Sequence, residues 1–149
     1  MRLTMMSDYA LRVLLFAGAH PERLVTIDET QETYAISRGH LMKIVGVLAS
    51  AGILRSQRGR AGGFTLGRAP EDIRLGDVLR LTEPDFDMVE CLTPSNACAI
   101  TARCALPAIV SEALDAFMAV MDRHTLADLL LHPQDFGTLT TASQERPLQ

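Results

Sequence analysis

"TIDETQETYAISRGHLMKIVGVLASAGILRSQRGRAGGFTL", residues 26–66, decides the fold of this chain. Thr26 and Glu29 have the spacing of a capping box, in which a hydroxyl and a carboxylate satisfy each other's free backbone N–H groups, so a short helix is predicted over 27–34. A tight turn at 35–37 follows. Ser37 is a natural N-cap for a second helix through residue 50, with Leu41, Ile44, Val45 and Leu48 as its buried stripe and Gly52 as its stop. Two short helices joined by so few residues read as a helix-turn-helix. Residues 53–57 and 64–66 then read as two strands, and Gly59, Gly62 and Gly63 between them permit a tight exposed turn. Arg58 and Arg60 stand at its tip. A helix-turn-helix followed by a basic hairpin is a winged helix, whose second helix enters the major groove while the wing reaches phosphates or the minor groove.

The charge distribution agrees. Over the whole 149 residues the net charge is -4, which alone argues weakly against a nucleic-acid partner. From residue 38 to residue 68, however, six Lys or Arg residues occur without a single acid, leaving eight basic against eighteen acidic residues elsewhere. A basic module in an acidic body is the footprint of a polyanion-binding surface. Ser37, Arg38 and His40 open the expected recognition helix, where Arg38 or His40 can reach base edges. Lys43, Arg58 and Arg60 suit phosphate contacts, which give affinity without sequence information.

Upstream, residues 4–19 form a periodic stretch with Leu11, Leu14, Leu15 and Gly18 on one face, the pattern of an amphipathic helix. The longest apolar run, "ALRVLLFAGA" at 10–19, is interrupted by Arg12 and falls short of the roughly 20 residues that span a membrane. No membrane partner is expected. The opening "MRLTMMSDYALR" carries Asp8 and Arg12 where a secretory leader is uninterrupted, so a cytoplasmic location is expected.

Downstream, a short helix is predicted over 75–82, then a loop, then a longer helix from Pro107, which tolerates the first turn because its missing N–H has no partner there anyway. Val110, Ala113, Leu114, Phe117, Met118 and Met121 make a wide apolar stripe on that helix and imply a partner helix. "TLADLL" at 125–130 adds a capped turn, and the polar stretch 132–149 reads as a structureless tail. The fold class is therefore mainly α with a small β-hairpin wing: a winged helix-turn-helix domain over 1–82, a loop over 83–106, a dimerisation helix with its last turn over 107–131, and the tail.

The loop "ECLTPSNACAITARC", residues 90–104, holds all three cysteines of the chain, Cys91, Cys98 and Cys104. Two would pair as a disulfide; four would close a zinc or cluster cage. Three leave one position to another group. Three buried small hydrophobes are one alternative. A zinc site is a second, although gaps of six and five residues lack the tight knuckle zinc sites usually show. A metal-free redox-thiol regulator is a third. No paired acid and base, activated nucleophile or phosphate loop suggests an enzyme.

Taken together, these segments resemble the bacterial winged-helix regulators that carry an iron-sulfur cluster, and among them the nitric-oxide-sensing repressors. The carriers are "MRLTMMSDYALR", the "SRGHLMKI" helix, the wing "RGRAGGFTLGR", the triple-cysteine loop and the "TLADL" turn, together covering residues 1–130. The resemblance implies a homodimer paired through the long helix, a palindromic double-stranded DNA operator, and a cluster, 4Fe-4S rather than 2Fe-2S, whose loss or nitrosylation releases DNA. Cys91, Cys98 and Cys104 would be its ligands. One branch completes the cluster with a histidine soon after the third cysteine, but here the first histidine after Cys104 is His124. Nitric-oxide-sensing relatives can use a carboxylate near the N-terminus reaching across the dimer, and Asp8 stands in the matching position, with Glu90 as another oxygen donor. Arg12, one turn on, would pair with Asp8 or face the cluster. An iron- or oxygen-responsive regulator of the same fold is the nearest rival; a cluster protein that carries electrons is a rival of another class.

Overall fold

The computed structural model describes residues 2–59 and 61–136. Helix α1 (Met5–Gly18) starts at Thr4, whose hydroxyl accepts the Ser7 N–H at 3.3 Å. Its buried face is Ser7, Ala10, Val13, Leu14, Phe16, Ala17 and Gly18. Of the face that the leucine pattern predicts, Leu14 and Gly18 are buried, whereas Leu11 and Leu15 are only half-buried, so the buried face is turned toward Ala10, Val13 and Ala17. The small residues Ala10, Ala17 and Gly18 point inward because α1 is the central helix of the domain, and its neighbours approach most closely where side chains are short.

Helix α2 (Ile27–Tyr34) has its complete capping box, with the Glu29 N–H on Thr26 Oγ1 at 3.1 Å and the Thr26 N–H on Glu29 Oε2 at 2.7 Å. It ends at Ala35, which takes the left-handed conformation at φ 55° and turns the chain toward α3 (Arg38–Ser50). Leu41, Ile44, Val45 and Leu48 are the buried stripe of α3, as its periodicity predicts. Gly52, at φ 69°, closes it: the Ile53 N–H reaches Leu48 O at 2.9 Å and the Gly52 N–H reaches Ala49 O at 3.0 Å, the paired bonds of a left-handed helix stop.

Strands β1 (Leu54–Gln57) and β2 (Gly63–Leu66) pair antiparallel from Leu54↔Leu66 to Gln57↔Gly63. Phe64 also bridges to Val25, with N–H···O distances of 2.9 and 2.8 Å in the two directions. The wing is thereby stitched to the segment that precedes α2. At Gly63 a Cβ would lie 2.5 Å from the Val25 carbonyl oxygen, so the close approach admits only glycine.

A 3-10 turn at Pro70–Asp72 leads into α4 (Leu75–Thr82), and two further such turns, Glu90–Leu92 and Thr101–Arg103, carry the cysteine loop to α5 (Leu106–Arg123). No residue of α5 is buried in the single chain. Arg80 and Asp122 clasp α5 to α4 through two parallel 2.7 Å bonds, and the hydrogen bond to Arg80 holds the Asp122 carboxyl below its ordinary range. After α5 the chain returns to the winged helix. Leu126, fully buried, enters its core while the Leu126 N–H bonds Ile73 O at 2.8 Å.

Where the sequence suggested that a structureless tail begins, residues Pro133–Phe136 form a 3-10 turn. Phe136 sets its ring 5.5 Å from that of Phe16 and 6.2 Å from that of Tyr34, so this apolar anchor holds the start of the polar stretch on the domain. The rest of the expected tail lies outside the described residues. Among the described residues no helix is long and apolar enough to cross a membrane.

Candidate nucleic-acid interface and cysteine loop

The exposed side of α3 is the complement of its buried stripe. Arg38, Gly39, His40, Met42, Lys43 and Gly46 all face solvent, and residues 39, 42, 43 and 46 fall at helical spacing on one line. A groove of about 620 Å³ separates this face from the wing, lined among others by Asp28, Arg38, Met42, Gly46, Gln57 and Arg58. Ser37 caps α3 and its hydroxyl lies 2.9 Å from His40 Nδ1. The Arg38 guanidinium is ion-paired with Asp28 of α2. Lys43 and Arg58 form no ion pair among the described residues, and Arg60 lies outside them.

Sequence reasoning passed over three features of this face. Asp28 holds Arg38, so an arginine expected on a base edge must first leave a carboxylate. Met42, 59% exposed, offers an apolar surface of the kind that contacts thymine methyl groups. Gly39 and Gly46 would meet nothing within 4 Å if each carried a Cβ, so no packing inside the chain requires them to be glycine. The signal was present in the positions left over once the buried stripe is removed.

On α1, Asp8 and Arg12 form a two-point pair, Oδ2 to NH2 at 2.9 Å and Oδ1 to Nε at 3.3 Å. Beside them burial pushes the Tyr34 phenol up to about 12, with the Arg12 charge opposing the shift.

In the cysteine loop all three thiols are free, Cys91 and Cys104 half-buried and Cys98 exposed. Asn96 organises the middle of the loop: its Oδ1 accepts the Cys98 N–H at 2.9 Å and its Nδ2 donates to Thr101 Oγ1 at 3.0 Å. Thr101 Oγ1 in turn donates to Cys98 O at 2.9 Å. Glu90 turns its carboxylate onto the Ala97 N–H at 3.4 Å, and the Leu106 N–H points at Cys104 Sγ at 3.5 Å. Three unpaired thiols outside the core are the donor set an iron-sulfur cluster takes, so the loop suits such a group. The structure places them on one segment without gathering them: among the described residues no three His, Cys, Asp or Glu side chains come close enough together to hold a metal ion. His124 caps the C-terminus of α5 with Nδ1 3.1 Å from Asp128 Oδ2, far in sequence from the thiols.

A family model described as "Rrf2: Iron-dependent Transcriptional regulator" matches residues 3–132. The chain belongs to the Rrf2 family of transcriptional regulators. Within that family it is 46% identical over 141 residues to the HTH-type transcriptional regulator NsrR of Bacillus subtilis (strain 168), covering 93% of this chain and 97% of that one. The NsrR of Geobacillus kaustophilus (strain HTA426) is 43% identical over 148 residues, with 98% and 99% covered. Among solved structures, CymR of B. subtilis, the global cysteine regulator, superposes with a TM-score of 0.66 at 28% identity, covering 87% of this chain and 95% of that one. T. potens IscR shares the fold with a TM-score of 0.68 at 24% identity over 100% of this chain and 93% of its own. The winged-helix architecture read from residues 26–66 is thus that of Rrf2 regulators. Transcription regulation by DNA binding follows from the same relatives, which are named as regulators and not as electron carriers.

Proposed function

We propose that this Rrf2 regulator is a homodimeric repressor that senses nitric oxide through an iron-sulfur cluster, 4Fe-4S in type, held by Cys91, Cys98 and Cys104, with Asp8 of the partner subunit as the fourth ligand. The observation that carries the reading is the set of three free, unburied thiols on one short loop of a chain so similar to regulators named NsrR. When bound, the cluster would supply iron open to direct attack by nitric oxide. Everything else falls to the chain's own residues. The thiolates bind, and a carboxylate is the weaker, more exchangeable donor for iron. Asp8 has a second partner ready in Arg12 when it is not a ligand.

Dimerisation through α5 is supported by the residues that helix leaves uncovered, including Ile109 at 60% exposure. Two chains so joined would present two α3 helices to the half-sites of a palindromic operator. Ser37, Arg38 and His40 would lie against base edges, and Lys43, Arg58 and Arg60 against phosphates. Cytoplasmic location and the absence of catalysis belong to the same reading.

The outer face of α3 gives this interface a test of its own. A glycine inside a helix costs roughly 0.5–1 kcal/mol relative to alanine. Gly46→Ala therefore raises the stability of the free protein by about that amount in a thermal or urea melt. The same methyl intrudes on the DNA-facing side and weakens operator binding by about 1–3 kcal/mol, the usual scale of overpacking. Stabilisation together with unchanged binding would remove this face of α3 from the interface.

The sensing site is tested by native mass spectrometry of protein purified without oxygen, before and after stepwise addition of nitric oxide. The expected species is a dimer with one cluster per chain that gains nitrosyl adducts, with an altered response in Asp8→Ala. A metal-free or zinc-loaded dimer, untouched by nitric oxide, would overturn it. The family description, with its iron dependence, favours one second reading, an iron-responsive regulator. In that case the cluster is present, but operator binding follows iron supply and ignores nitric oxide.

A further inference from the structure

Arg12 of α1 touches α2 at Tyr34 and, on its own helix, Tyr9, the residue that meets α3. Its guanidinium carbon lies 5.9 Å from the centroid of the Tyr9 ring and 5.9 Å from that of the Tyr34 ring, while Asp8 holds the same group at 2.9 Å. From Tyr9 the contacts continue to the recognition helix. The Tyr9 and His40 rings lie 6.1 Å apart, tilted by 58°, and His40 Nδ1 is 2.9 Å from Oγ of Ser37, the N-cap of α3. From Tyr34 they continue to the turn. Tyr34 is the last residue of α2, its ring packs edge-on against Phe16 at 6.1 Å, and Ala35, next in the chain, is the left-handed residue that aims α3.

Neither tyrosine is held strongly by its hydroxyl. That of Tyr9 reaches only Met5 Sδ at 3.7 Å, and that of Tyr34 makes no hydrogen bond among the described residues. What fixes both rings on this side is a cation over their faces, an attraction that depends on where the guanidinium sits. The guanidinium sits there because Asp8 clamps it at two points.

We propose that Tyr9 and Tyr34 are positioning residues that convert the pairing of Asp8 with Arg12 into the placement of the recognition helix, Tyr9 through His40 and the α3 N-cap, Tyr34 through the Ala35 turn. The proposal rests on the reading of Asp8 as part of the sensing site, since only there does the Asp8 carboxylate change partners. An element coupled in this way shifts DNA affinity only as far as the two pairing states differ in energy. Coupling of that kind is measured by a double-mutant cycle.

The probe is a labelled duplex recovered from a random-sequence pool with the wild-type protein, and the samples are purified without oxygen with whatever metal they carry. In the wild-type background Asp8→Asn changes the Kd by about threefold or more. In the Tyr9→Leu background that change shrinks to within about twofold, the scatter of additive pairs. Tyr9→Phe, which keeps the ring, restores it. The chain has two tyrosines, Tyr9 and Tyr34, and no tryptophan, so its intrinsic emission reports on this site alone and changes on Asp8→Asn before any DNA is added. Should Tyr9→Leu fail to fold, the same cycle is run with exposed His40→Ala. An Asp8→Asn effect that is absent in the wild type, or equally large when Tyr9 or His40 is replaced, or an unchanged emission, overturns the relay. Iron assayed on the same samples separates the two ideas. Iron bound with strictly additive mutations sinks the relay and leaves the cluster; no iron with the non-additivity intact does the reverse.

Discussion

Cys98→Ser is expected to empty the chain of the iron proposed for its cysteine loop and to leave the fold untouched. Cys98 is the most exposed of the three thiols and the middle one in sequence, and it packs against nothing in the core, since no residue from 83 to 125 is buried. Serine keeps the shape and the backbone bond to Asn96 Oδ1, so stability changes by no more than about 0.5 kcal/mol, the range of surface substitutions. The lost property is ligation, because iron in clusters is held by soft thiolates and a neutral hydroxyl does not replace one. Iron per chain measured without oxygen falls close to zero, the visible absorption of the cluster disappears, and operator binding ceases to respond to nitric oxide. A variant that retains its iron would show that Cys98 is not a ligand and would break the reading of the loop.

The largest effect on stability is expected at Phe64. Its side chain is 1% exposed, in the centre of the hydrophobic core, and its backbone forms both hydrogen bonds of the bridge to Val25. Phe64→Ala deletes a ring from a closely packed site and costs about 3–5 kcal/mol. Set against a total stability of roughly 5–15 kcal/mol, that is about a fifth or more of what holds the domain together. The melting temperature falls on the order of 10 °C for a chain of this size. Phe64→Leu, which fills most of the space, loses much less. DNA affinity falls along with stability in the alanine variant, because the ring seats β2 on the core and β2 pairs with β1, the strand that leads to Arg58. A loss below about 1 kcal/mol in a urea titration would mean that the wing is not seated on the core through Phe64.

Sequence and structure part company where the residues concerned are remote from one another. The structure turns the buried face of α1 away from Leu11 and Leu15 while keeping Leu14 and Gly18 in it, because α1 is apolar on most sides and only its neighbours α3, α4 and β2 choose among them. The capped "TLADL" turn was legible, yet nothing local shows that Leu126 plugs the core of the winged helix, since Ile73 lies more than fifty residues earlier. Phe136 is likewise a lone aromatic in a polar stretch until Phe16 and Tyr34 are seen beside it. At the candidate site the basic residues were readable from an acid-free run, whereas the Asp28 carboxylate that holds Arg38 was not, because it belongs to the previous helix.

What the sequence determined by itself is what neighbours in the chain decide: the capping box of α2, the Ser37 cap, the stripe of α3, the Gly52 stop and the glycine-rich wing, each a matter of hydrogen bonds or side-chain periodicity spanning a few residues. It also determined that three thiols share one loop. Tertiary structure alone decided which face of α1 is buried, that Arg80 clasps Asp122 forty-two residues away, and that Tyr9 meets His40. Those contacts are chosen by how whole elements pack, and packing minimises exposed apolar surface over the entire chain at once, a quantity that no short window of sequence contains.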